Sequence, residues 1–155
     1  MKFALLVFAV LMAGGCASGP PFSPVVGNAV FQSYVKDSLS GKRSDEEHIN
    51  FRNAFRGDSD GMVFFFTEAY QRSMSSDIAP ADEVFLTWIL TTILLKNGDT
   101  RFYDSLSQET PEVQSAVFSF LTSPFIPKDY HKTRGLMEAA PKIDFPLERA
   151  YQKLG

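Results

Sequence analysis

Few side chains in this sequence have the type and spacing to do chemistry. Asp58-Ser59-Asp60-Gly61 resembles the opening of a calcium loop, but the register rejects it. A calcium-binding loop places its glycine at position six, which puts Arg56 at position one and Thr67 at position twelve, where carboxylates are needed. The run therefore reads as a helix cap. Glu46-Glu47 and Asp82-Glu83 offer paired carboxylates for general acid and base work on a glycan. Neighbours on a helix diverge by about 100°, so neither pair faces one substrate. Each pair also sits in a predicted first turn, where acids stabilise the helix dipole. Of the two histidines, His48 shares the helical face of Phe51, which reads as packing on aromatics. His131 lies in Lys128-Asp129-Tyr130-His131-Lys132-Thr133-Arg134. That cluster is either a solvated loop or, through Lys128, Tyr130, His131, Lys132 and Arg134, a contact for an anionic surface. Two histidines in separate segments do not make a metal site. No metalloprotease, dithiol, serine-elbow or phosphate-loop motif occurs, so no catalytic residue, metal or cofactor is assigned. Phe64, Phe65, Phe85 and Trp88 form an aromatic set that could line an apolar pocket, or simply fill a core.

The elements that must hold these residues are helical. Val30, Phe31, Tyr34, Val35 and Leu39 recur at helical spacing, with Gly41 as a stop. Ser44-Asp45-Glu46-Glu47 matches a capping box and opens a helix carrying His48, Phe51 and Phe55 to Gly57. Asp58 or Asp60 caps the next, in which Phe64 and Phe65 add to a stripe of Met62, Val63, Phe66, Ala69 and Tyr70. Apolar nearly all round, that helix is expected at the centre. Residues 84–95 are the most hydrophobic run, and about a dozen residues suit a core helix, not a membrane span. Asn97-Gly98 reads as its stop, followed by a short helix around Phe102 and Leu106. Thr110-Pro111-Glu112 starts another, with a capping hydroxyl, a proline in the first turn and an acid at the positive end. Pro124 and Pro127 end it. The stretch to Pro141 is expected to be irregular, with one turn near Leu136, and Pro146 opens a last helix.

No segment alternates as a strand would, so the fold class is all-α. The expectation is a compact bundle or short stack of about six to seven antiparallel helices. Gly57-Asp58 and Gly98-Asp99 recur 41 residues apart, a spacing in the range of HEAT-like repeats. Hydrophobic content of 45% with 21% charged residues fits a globular chain, and fifteen phenylalanines supply large packing surfaces.

The N-terminus has a different logic. Met1 and Lys2 precede an apolar stretch over 3–12, then Ala13-Gly14-Gly15 and Cys16, the only cysteine. A charged start, a short apolar core and small residues make a secretory leader. With the lone cysteine after them, they resemble the lipobox of bacterial lipoproteins. The family usually has leucine where Ala13 stands. The resemblance implies diacylglycerol on the Cys16 thiol, cleavage before it, and a protein held to a membrane by its lipid. By the family's sorting rule, Ala17 implies the outer rather than the inner membrane of the bacterial envelope. The organisation expected is a leader over 1–15, a lipidated cysteine and tether over 16–27, and one helical domain over 28–155. Pro20, Pro21 and Pro24 extend the tether to about 25 Å.

Loss of Lys2 with the leader leaves 14 basic against 18 acidic side chains, a net charge near −4. Nucleic acid is thereby a poor partner. The leading functional expectation is a membrane-anchored, non-enzymatic module that binds another protein. The alternatives are a protein that binds a lipid or other apolar ligand between helices, and an envelope hydrolase with His48 or His131 as base.

Overall fold

The computed structural model describes residues 44–154. The leader, Cys16, the tether and the helix expected near 28–39 lie outside the described residues. What is described is all-helical, and its helices begin either at a capping side chain or at a proline in the first turn.

Helix α1 (Asp45–Phe55) starts at Ser44, whose side chain accepts from the Glu47 amide at 3.1 Å. Asp45, Glu46 and Glu47 then occupy its first turn, at the positive end of the dipole. The helix ends at Gly57, whose φ of 90° belongs to the left-handed region that favours glycine. Helix α2 (Ser59–Met74) is capped by Asp58, which accepts from the Gly61 amide at 3.2 Å. Gly61 has a second role. A Cβ there would fall 2.4 Å from the Ala54 nitrogen and 2.8 Å from the Asn50 carbonyl, so only glycine lets α1 and α2 cross this closely.

Helix α3 (Pro80–Leu106) changes direction at Gly98, with φ 76° and ψ 172°. Its first arm carries the apolar run and its second arm carries Phe102 and Leu106, as the stop signal at Asn97-Gly98 predicts. Helix α4 (Pro111–Phe120) is capped by Thr110. The Gln114 side-chain amide donates back to the carbonyls of Leu106 and Glu109 and closes the α3–α4 turn. A short 3-10 turn (Ser123–Phe125), α5 (His131–Ala139) and α6 (Pro146–Gln152) complete the domain.

Helix α2 is the hub, packing against α1, α3, α4 and α6. This is the central position its near-continuous apolar surface calls for. Phe65, Phe66, Phe102, Ile89, Leu90, Ile93 and Leu94 are essentially without solvent exposure. Phe66 meets Phe102 edge to face at 5.4 Å, and Phe65 meets Phe51 the same way at 6.3 Å.

Two expectations are corrected. The stretch between Pro127 and Pro141 is not irregular with one turn, because α5 occupies it. Its first residues carry no capping side chain of their own. Asp99, at the elbow of α3, supplies the cap instead. Its two oxygens accept from the amides of Lys132 at 2.9 Å and Thr133 at 2.8 Å. The same observation removes the Gly-Asp recurrence as a sign of repetition. Gly57 and Gly98 share a left-handed φ, but Asp58 caps the helix that follows it, whereas Asp99 caps one over thirty residues away.

Candidate functional site

Helix α1 and the first arm of α3 run side by side in the same direction, since Glu47 lines a cleft with Asp82, Phe51 meets Trp88, and Ala54 meets Asn97. Their middles are joined by a ladder of rings. Phe55 and Phe51 lie 6.1 Å apart, Phe51 stacks on Trp88 at 5.8 Å, and Trp88 meets Phe85 at 6.0 Å. Parallel alignment brings the N-terminal ends of both helices, and their acids, to one end of the molecule.

At that end a cleft of about 240 Å³ is lined by Glu47, Phe65, Glu68, Arg72, Asp82, Phe85 and Leu86. Burial raises the Glu68 pKa, and the nearby charges of Glu47 and Glu46 raise it further. The one cation in the lining is already engaged. Arg72 donates through Nε to Glu83 Oε1 at 2.9 Å and through Nη2 to the same oxygen and to the Asp77 carbonyl. Among the described residues, the cleft is thus acidic on its rim and apolar on its floor, with its one cation held by Glu83.

Glu83 is the feature that sequence reasoning misread. Grouped with Asp82 as a dipole-stabilising acid, it is instead 1% exposed. One oxygen takes Arg72 and the Ala79 amide, and the other accepts from the Tyr151 hydroxyl. Burial, the bond to Glu83 and its charge all push the Tyr151 pKa upward against Arg72, so Tyr151 remains a donor. This carboxylate ties α2, α3 and α6 together from a buried position. A signal existed: Glu83 shares its helical face with Leu86, Leu90 and Leu94, all buried.

The other sequence candidates are placed as follows. Of Phe64, Phe65, Phe85 and Trp88, only Phe65 and Phe85 reach the cleft. Phe65 and Trp88 are core residues, and Phe64 packs edge-on against Phe65 at 5.1 Å. His48 is half-buried on α1, while His131 is exposed at the start of α5. In the 128–134 cluster, Lys128, His131 and Lys132 are exposed, with Lys132 Nζ 5.7 Å from the Tyr103 ring centre. Tyr130 is half-buried, and burial followed by the charges of Asp129 and Asp99 raises its pKa. Arg134 turns inward. Its guanidinium donates to the carbonyls of Pro127 at 2.9 Å, Ser123 at 3.2 Å, and Ile126, and so staples the 3-10 turn to α5. It is a structural cation, which corrects its inclusion among the surface contacts.

Among the described residues no group of three or more His, Cys, Asp or Glu side chains could hold a metal ion. Nor is any helix there long and apolar enough to cross a membrane. No family model matches the chain, and neither a curated protein nor a solved structure shows significant similarity to it.

Proposed function

We propose that the chain is a bacterial envelope lipoprotein, held to the membrane through Cys16, whose helical domain binds a protein partner without catalysing a reaction. The observation that carries the binding half is the acidic cleft. Glu47, Glu68 and Asp82 converge around an apolar floor, and the cation among them is occupied by Glu83. The charges of Glu47 and Glu46 add to burial in raising the Glu68 pKa, so a cation brought to this cleft is favoured beside Glu68. A basic segment with one or two apolar side chains is the complementary ligand, with Phe85 and Leu86 receiving the apolar part. The lipobox-like run before Cys16 supports the anchoring half.

Two experiments test the two halves separately. The Cys16→Ser chain is expected to leave the membrane fraction of cells, and unchanged fractionation refutes the anchor. A photo-crosslinking residue at Asp82 in intact cells is expected to yield a protein adduct that disappears when Glu47 and Glu68 are reversed to lysine. Absence of any protein adduct refutes the binding role.

A further inference from the structure

The end of the molecule opposite the acidic cleft has the reverse chemistry. There the C-terminus of α1 meets the elbow of α3, with the Asn97 side chain donating to the Ala54 carbonyl at 2.9 Å. Phe55 is 39% exposed and Leu95 46% exposed, on adjoining helices. Lys96 Nζ stands 4.9 Å from the centre of the Phe55 ring. Arg52 lies one turn before Phe55, and Arg56 follows it directly. The Arg101 guanidinium crowds Gly57, so that a Cβ there would fall 2.6 Å from its Nη1. Arg56 and Arg101 share an open groove of about 600 Å³ with Asp58 and Asp104. Asp58 is engaged as the cap of α2 and Asp99 by the amides of α5, while Arg52 and Lys96 join Arg56 and Arg101 among the cations around Phe55 and Leu95. The ion pairs seen among the described residues fall elsewhere, at Arg72–Glu83 and Arg149–Asp144.

Helix dipoles account for cations near a C-terminus. They do not account for a phenylalanine and a leucine left in water beside those cations. Exposed apolar side chains flanked by arginine and lysine suit a surface that enters the headgroup layer of an anionic membrane. A second copy setting its acidic end here would make a head-to-tail contact, which builds rings or filaments and is read by self-association.

We propose that this basic, aromatic end lies against an anionic lipid surface, with Phe55 and Leu95 entering the headgroup region and Arg52, Arg56, Lys96 and Arg101 facing lipid phosphates. The inference rests on the lipid-anchored reading above and extends it. An acyl anchor and a basic patch act together, since each added signal deepens membrane residence. Helix α1 is about 16 Å long, so this seating turns the acidic cleft away from the membrane, toward a soluble partner.

The test uses the full chain carrying Cys16→Ser, so that acylation contributes nothing. Flotation is measured with vesicles of phosphatidylcholine alone and with vesicles containing about one-third phosphatidylglycerol. The anionic lipid is expected to strengthen binding about tenfold or more, through cations near the surface. Arg56→Gln with Arg101→Gln, and separately Phe55→Ser, are each expected to remove most of that increment while the helical circular dichroism is unchanged. Equal binding to both vesicle types overturns the proposal. So does an undiminished increment in folded variants, or an effect of these substitutions on self-association in sedimentation with none on vesicles. A missing increment in a protein whose Cys16 form still fractionates with membranes overturns the seating and leaves the anchor. A Cys16 form found soluble, with the increment intact, does the reverse.

Discussion

Replacing Asp99 by alanine removes both acceptors from the first turn of α5 without touching that helix. The bonds lost are those from the amides of Lys132, at 2.9 Å, and Thr133, at 2.8 Å. Loss of a capping side chain costs about 0.5–2 kcal/mol. Here the acceptor is ionised and receives two donors, which favours the upper half. The side chain is only partly buried, so water recovers part of the loss. The expected cost is about 1.5 kcal/mol, which lowers the melting temperature by roughly 5 °C in a domain of this size. Asp99→Asn keeps one acceptor and is expected to fall between the two. Urea unfolding followed by helical circular dichroism gives the free energy, and amide exchange at Lys132 and Thr133 gives the location.

The pH dependence of the same substitution has a definite sign. Burial works to raise the Asp99 pKa, but the backbone donors of Thr133 and Lys132, with the Lys132 charge, outweigh it and hold it below the usual value. A depressed folded pKa stabilises the native state above the unfolded pKa of about 3.9. That stability is lost as pH falls through the folded value. The wild-type chain should therefore lose its advantage over Asp99→Ala as pH drops below about 4. An unchanged free energy at neutral pH, with unchanged exchange at Lys132 and Thr133, would refute the capping argument.

Two further substitutions probe the packing that holds the two ends of the molecule apart. Gly61→Ala drives a methyl against the backbone of α1 at 2.4 Å and is expected to cost about 1–3 kcal/mol by urea unfolding; a cost near zero would show that α1 can back away freely. Glu83→Ala removes the buried counter-charge of Arg72 and an acceptor of the Tyr151 hydroxyl, for an expected loss of about 3–5 kcal/mol. Replacing Arg72 and Glu83 together by methionine and leucine should cost clearly less, and equal costs would argue against a charge-pair origin.

Most helix boundaries were legible in the sequence because the groups that set them lie within four residues of the amides they serve. Ser44, Asp58 and Thr110 cap the helices that follow them. Pro111 and Pro146 sit in first turns, and Gly98 breaks the apolar run as a left-handed residue. The continuous apolar surface of α2 likewise announced a central helix. Helix α5 was hidden because its cap is Asp99, supplied across the fold from an elbow, and no local pattern contains it. Glu83 gave only a faint periodic sign, since an acid in a first turn has the same spelling whether it faces water or Arg72 and Tyr151. Arg134 looked like one cation of an exposed cluster until the 3-10 turn brought three carbonyls to it. The charge patterns of α1 and α3 are ordinary one helix at a time. Their parallel packing gathers the acids around one cleft and the cations around Phe55 and Leu95 at the other end, because side-chain charges add only once their helices are aligned in space.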